Sequence, residues 1–542
     1  MFPWVPAALL FLSTLLLYWN TRTSANTFDA VSYANQIAHL YPRTGDPHWL
    51  FHPHHLLFNA LGYVLWRLAA VFGCRGGSLV VLQSLNAMLG ASGVVLYYFT
   101  LRGLLQRSRG LPLLLSLGLA LSFGYWICAT DGRVNMPSVF LMLAAFSVLT
   151  RFMAAPRLST AALTGALAGG AVLFHESAGL FVAVGLAGVL LPAAAWKQRR
   201  LMAPLYLGTW GLTAALPYLV VGVFVLHLHS VSAFHAWASE YTELGWWWDF
   251  RIFHNLSSDF YAFRHAGFVE PGSRVSTFTL GGHSPLPVLA FYWLSVAGWL
   301  AAGSVILLSL PQLWRSPSRN LVVVLALWMG VYAAFFTVWS PGYFVFWVPV
   351  LIPASSLLAL TLAHYRARRG GVLANWLLGV WIGVYGLLNL QVSILPHLAP
   401  SSDPFRRIAA DVRAHTERGD VVLVAGAGDG GPAEVALPYF ADRDVISLHG
   451  LLTKKRDDKA AALSMAQDEM TATLASGHAV YALDEVVPSH NEKTLAALAA
   501  KHRLTDEDLK MLLSPYVRTL AWNSPRGPVW RLTYRTASRG PS

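Results

Sequence analysis

The 542-residue sequence is 55% hydrophobic and only 12% charged, whereas a soluble globular domain carries about 25% charged residues. Together with a mean hydropathy of +0.48, this excludes an ordinary soluble protein. The net charge of +12 does not mark a nucleic-acid binder, because most Lys and Arg sit in short loops between apolar runs, as the positive-inside rule predicts for a membrane protein.

In chain order, the apolar runs predict about eleven spanning helices, near 2–19, 78–101, 111–129, 136–152, 161–175, 177–195, 203–228, 286–310, 320–338, 344–364 and 372–396. Each approaches the length that crosses a bilayer. The first run is followed by "TSA" at Thr23–Ala25, the form of a cleavage site. It lacks the basic n-region of a signal peptide and is read as a retained helix. The runs 161–175 and 177–195 form a hairpin, since one unbroken helix would be too long for the membrane. The run 55–73 is assigned to the outer leaflet. Only then do Arg102, Arg107, Arg109, Arg151, Arg157, Lys197, Arg199, Arg200, Arg315, Arg319, Arg366, Arg368 and Arg369 all lie inside. The N-terminus is then cytoplasmic and the C-terminus periplasmic.

This topology gathers the segments 20–77, 130–135, 175–176, 229–285 and 339–343 on the outer face. The long 229–285 segment carries Trp246–Trp248 and is expected to hold a helix lying in the membrane plane. After Pro400, charge rises and apolar runs shorten. Strands are predicted near 420–426 and 478–483, and helices near 403–418, 432–441, 455–476 and 492–513. The expected fold is therefore an α-helical polytopic membrane domain, 1–400, followed by a small α/β soluble domain, 401–542, outside the membrane. The two cysteines, Cys74 and Cys128, provide no disulfide framework.

Ionisable groups at a membrane boundary are functional candidates, and Asn26–Phe58 is rich in them. Asp29, in "FDAVSYANQI", follows the first helix; it also suits the N-cap of a helix starting near Ala30. "HPHH" (His52–His55) offers imidazoles that can steady a phosphate, or simply a polar lead-in to a helix with Pro53 in its first turn. No carboxylate or Cys accompanies these histidines at metal-ligand spacing, so a divalent metal is not favoured and no cofactor is implied. Asp131 and Arg133 share a "DG" turn and can neutralise each other. His175 and Glu176 tip the hairpin, where buried polar groups must find partners. "GAGDGG" (Gly426–Gly431) matches G-x-G-x-x-G after a strand, but without an acidic residue at the required distance it reads as a glycine-rich turn.

Together these residues resemble the glycosyltransferase C superfamily, polytopic membrane enzymes such as protein O-mannosyltransferases and the lipid A aminoarabinose transferase. The likeness rests on "FDAVSY", on "HPHHLLFNAL", on the basic turn Arg102–Arg109 and on a second acidic residue, Asp131. "LAGGAVLFHESAGLFV" and "WSPGYFVFWVP" (Trp339–Pro349) extend it. The sequence departs from the family where many members have paired acidic residues in the first loop, since Asp29 stands alone.

The resemblance implies transfer of a hexosyl or pentosyl group from a polyprenyl-phosphate donor to an acceptor hydroxyl at the outer face of a bacterial inner membrane, with inversion. Asp29 is the expected general base, with Asp131 as the second catalytic acidic residue. His54, His55, Arg133, His175 and Arg264 are expected to bind the donor phosphate, and Tyr33, His52 and Glu176 to orient the acceptor. The aromatic 229–285 loop is expected to close over the donor. The implied partners are the lipid-linked donor, a glycan, lipid or protein acceptor and the membrane, with no nucleic acid. The alternative is a transporter or lipid flippase, which calls for ionisable residues in mid-membrane and broken helices in matched halves. A scaffold with a partner-binding outer domain and a lipid-linked-glycan ligase are further readings.

Overall fold

Long apolar helices dominate the chain up to residue 398, and charge-rich short elements follow. The computed structural model describes residues 4–73, 76–106, 108, 110–192, 196–239, 247–271, 286–369, 372–427, 431–455, 458–487 and 492–535. Cys74, Arg107, Arg109 and Trp246 lie outside the described residues, as does the middle of the glycine-rich motif. The chain separates into two compact units, Met1–Thr23 with Leu40–Leu398, and Ser24–His39 with Ala399–Ser542.

In the first unit, seven described helices are long and apolar enough to span a membrane: Ser78–Leu104, Asn135–Ala154, Arg200–Val225, Leu286–Trp314, Arg319–Phe336, Phe344–Tyr365 and Val372–His397. The chain is an integral membrane protein. The predicted single span 111–129 is instead two helices, Leu111–Leu121 and Phe123–Thr130, bent by 63°. The bend frees backbone carbonyls that need partners in an apolar setting. Fully buried Asn389 supplies one, donating to Leu121 O at 2.9 Å. It also donates to Gly267 O and accepts from Val269 N. Shorter apolar helices cover Trp4–Asn20, Phe58–Val71, Leu158–Val172 and Glu176–Leu190. At 14 residues, Phe58–Val71 is only about 21 Å long, short of the roughly 30 Å hydrocarbon core.

The Leu158–Val172 and Trp196–Val220 helices pack closely because Gly165 and Gly169 lie one turn apart on the contact face. A Cβ at either would meet the backbone of Tyr206 or Trp210. Small residues at such spacing let helix backbones approach where the hydrophobic effect gives no drive.

The second unit is built on a five-stranded sheet, ordered β2-β1-β3-β5-β4: β1 Val421–Val424, β2 Asp444–Ser447, β3 Val480–Leu483, β4 Tyr516–Ser524 and β5 Gly527–Tyr534. β1 runs parallel to β2 and β3, while β5 pairs antiparallel with β3 and β4. Strand alternation sends Leu423, Val480 and Ala482 to one core and Val422, Val424, Tyr481 and Leu483 to the other, so both faces are covered. β2, β4 and β5 are absent from the sequence reading. β4 is mostly exposed, so it lacks the apolar run that marks a buried strand.

One boundary differs from expectation. Ser24–His39 packs with the C-terminal unit rather than with the rest of the 20–77 loop. Its helix, Phe28–Asn35, lies against Ala433–Ala436 and the π-helical turn Leu437–Ala441, burying Ala30, Val31, Ala34 and Asn35.

Candidate functional site

The first unit assembles its polar residues from segments far apart in sequence. His52 caps a 3-10 turn, Pro53–His55, and stacks on His55 at 4.4 Å. Leu57 N donates to Leu173 O at 2.9 Å, and Tyr218 donates to Pro53 O at 2.6 Å. The first bond holds the HPHH turn against the break between the Leu158–Val172 and Glu176–Leu190 helices, and the second ties it to the Trp196–Val220 helix. There His54 Nδ1 meets Glu176 Oε2 at 2.5 Å. His175 caps the turn that follows, its Nδ1 lying 2.8 Å from Ser177 Oγ, within electrostatic reach of His54 and Glu176. His52, His54, His55, His175 and Glu176 thus form one cluster. Burial, reinforced by His54, pushes His52 down to about 3. Burial likewise holds His55 well below the usual imidazole value. Both are therefore neutral near pH 7, able to donate one N–H each but not to supply charge.

A second cluster forms where the bent helix pair ends. Asp131 is fully buried; its carboxylate accepts from Arg133 Nε at 2.9 Å and from Gly132 N at 2.8 Å. Arg133 also donates to Tyr343 Oη at 3.0 Å. Asn86 donates to the carbonyls of both Asp131 and Arg133 at 2.7 Å. The mutual neutralisation read from the "DG" turn is present, and it sets the two residues toward each other. Alongside, Thr23 N donates to Thr130 O and Thr23 O accepts from Gln83, which pins the exit of the first helix.

Arg264 lies in a third cluster, on the outer-loop helix Ile252–Gly267. It bonds Tyr292 Oη and Glu270 Oε2 and sits 5.1 Å over the Tyr261 ring. The same helix buries Asn255, Asp259 and His265. Asp259 Oδ1 accepts from Gly342 N at 3.4 Å, and burial raises its carboxyl. His265, pushed down to about 3 by burial and then by Arg264, is enclosed by Phe123, Tyr261 and Phe344.

The segment Trp339–Trp347 joins the three clusters. Tyr343 takes Arg133, and Phe346 contacts both Tyr343 (5.1 Å) and His175 (5.7 Å). Phe344 meets His265, and Trp339 meets Trp248 at 4.8 Å. Ser340 and Gly342 both adopt left-handed conformations, with φ of 49° and 83°, which turns the chain sharply enough for successive side chains to reach different clusters. Tyr343, Phe346, Asp259, His265 and Asn86 were not singled out in the sequence. The signal for Asp259 was present: it lies four residues after Asn255, on the buried side of an amphipathic helix.

Asp29 and Tyr33 belong to the second unit. Asp29 lies exposed in the first turn of Phe28–Asn35. The expected cap is corrected: Thr27 holds that position and accepts from Ala30 N, because its hydroxyl reaches the free N–H of the third residue of a helix beginning at Phe28. The second unit also has a polar group at the C-terminal edge of its parallel strands. Burial pushes the Glu434 carboxyl up to about 7, and it bonds Ser447 Oγ. His449 Nδ1 lies 2.7 Å from His502 Nε2. Among the described residues, no group of three or more His, Cys, Asp or Glu side chains could hold a metal ion.

No protein-family model matches the sequence, and no curated protein matches it. Among solved structures, ArnT from Cupriavidus metallidurans bound to undecaprenyl phosphate aligns over 99% of this chain and 99% of its own, at 14% identity and a TM-score of 0.54. The apo form of that protein aligns over 97% of each chain at a TM-score of 0.42. The chain has the fold of a polytopic membrane protein that carries a small α/β unit. The particular fold it shares is that of ArnT.

Proposed function

We propose that this chain is a membrane glycosyltransferase that moves a hexosyl or pentosyl group from a polyprenyl-phosphate donor to an acceptor hydroxyl at the outer face of a bacterial inner membrane. The supporting observation is the fold shared along 99% of both chains with ArnT in complex with undecaprenyl phosphate. In this reading the N-terminus is cytoplasmic and the C-terminal unit periplasmic.

Asp29 takes the proton of the acceptor hydroxyl as that oxygen attacks the anomeric carbon. The anomeric carbon–phosphate oxygen bond breaks on the opposite face, so the centre inverts and the electron pair leaves with polyprenyl phosphate. The leaving phosphate needs no proton if donors meet its charge. His54, His55, His175, Arg133 and Arg264 are assigned to it. Their surroundings divide the task. His55 contributes a neutral N–H. Arg133 and Arg264 bring charges already shared with Asp131 and Glu270. His52, Glu176 and Tyr33 are assigned to acceptor orientation, and Asp131 holds Arg133 in register.

The test is cleavage of a panel of polyprenyl-phosphate sugars by the purified protein in lipid. Release of free polyprenyl phosphate from one donor supports the assignment. Transbilayer movement of lipid without cleavage would instead identify the flippase alternative.

A further inference from the structure

The proposed base is carried on a segment that belongs to the C-terminal unit. The chain leaves the first unit after Thr23, runs through Ser24–His39, and returns at Leu40. Within that excursion the Phe28–Asn35 helix presents two unlike faces. Ala30 and Ala34, one turn apart, are fully buried, and so is Ile37 beyond them. Phe28 and Asp29 are exposed.

The elements that receive the buried face are Ala433–Ala436 and Leu437–Ala441. They also present small residues, with Ala433, Ala436 and Ala441 all buried. Small side chains on both sides permit close backbone approach. At the end of the excursion the His39 ring meets the Tyr439 ring edge-on at 5.8 Å. The helix runs on through the π turn Gln36–Leu40 into Tyr41–Thr44, a length that is marginal for a helix alone in water, so packing of its first turns against the C-terminal unit steadies them.

We infer that the C-terminal unit is a positioning element for the general base: it folds and orients the Phe28–Asn35 helix, with Tyr439 as the positioning residue at its edge. A small misplacement of a catalytic group costs about a hundredfold in rate, so loosening this contact lowers turnover. It leaves donor affinity alone, because no residue assigned to the donor phosphate lies in the excursion. This inference rests on the assignment of Asp29 as the base.

The experiment compares full-length wild type, Ala34→Leu, Tyr439→Ala, Tyr439→Phe and Asp29→Asn in lipid. Donor cleavage and hydrogen exchange across residues 24–39 are both measured. Ala34→Leu and Tyr439→Ala are expected to lower kcat by at least about tenfold with donor KM unchanged, and to strip exchange protection from the helix. Tyr439→Phe, which keeps the ring, restores both. If Ala34→Leu does not fold, the two Tyr439 variants carry the comparison. Wild-type kcat in Tyr439→Ala with the helix unprotected, while Asp29→Asn is inactive, overturns the inference alone. Full activity in Asp29→Asn overturns the base assignment and the inference with it.

Discussion

The His54–Glu176 contact sets the donor on one imidazole nitrogen and so fixes which nitrogen faces away. A hydrogen bond to a charged group contributes about 1.5–3 kcal/mol. Glu176→Gln is therefore expected to lower kcat/KM by about tenfold or more, measured as donor cleavage, while the fold persists. Asp131 differs because it is fully buried with Arg133. Removing one partner of a buried pair leaves an uncompensated charge and costs about 3–5 kcal/mol. Asp131→Ala should show this as a drop in thermal stability in detergent, and Asp131→Asn, which still accepts from Gly132 N, should lose less. Glu434 gives a pH signature. Its carboxyl rises from 4.5 to about 7 in the folded unit, so the folded state holds its proton where the unfolded state has lost it. The C-terminal unit is therefore expected to lose stability as pH rises from about 4.5 through 7, by an amount on the order of 3 kcal/mol. Exchange protection of β1 in wild type should follow that slope, and Glu434→Gln should flatten it.

Among elements, the Trp339–Trp347 segment touches all three clusters, and its turn depends on the left-handed conformations of Ser340 and Gly342. At Gly342, φ is 83° and a Cβ would come within 3.3 Å of Ser258. Gly342→Ala is expected to cost about 1–2 kcal/mol in stability and to lower donor cleavage by displacing Tyr343 from Arg133; retained activity and stability would refute the turn's role. The sequence displayed this segment as a pattern without revealing what it joined. Tyr343 and Phe346 owe their significance to partners some 200 positions away, Arg133 and His175, which no local periodicity reports. Local chemistry was more legible. The HPHH turn, the His175–Glu176 break and the Asp131–Arg133 turn each sit where composition and turn residues pointed. The 63° bend at Ser122 was hidden because its flanks, "LGLALSFGYW", read as one apolar run. The freed carbonyl finds Asn389 only in the folded chain.

At the scale of the whole molecule, apolar run length was enough to predict a polytopic membrane fold, because hydrocarbon thickness sets helix length directly. The C-terminal strands were less legible, since β2 is only four residues long and β4 mostly exposed. The allegiance of Ser24–His39 was not legible at all. A stretch with buried Ala30, Ala34 and Ile37 can dock on any small apolar face, and the one it uses lies some 400 residues downstream. The two units are thus interleaved in sequence. The role proposed for Asp29 is to take the proton of the acceptor hydroxyl as a sugar leaves its polyprenyl phosphate. Its most direct test is release of free polyprenyl phosphate by the purified protein in lipid, with wild type and Asp29→Asn measured side by side. The account predicts release by wild type and a loss of at least about a hundredfold in the variant, at equal folded yield. Equal release by both would contradict it.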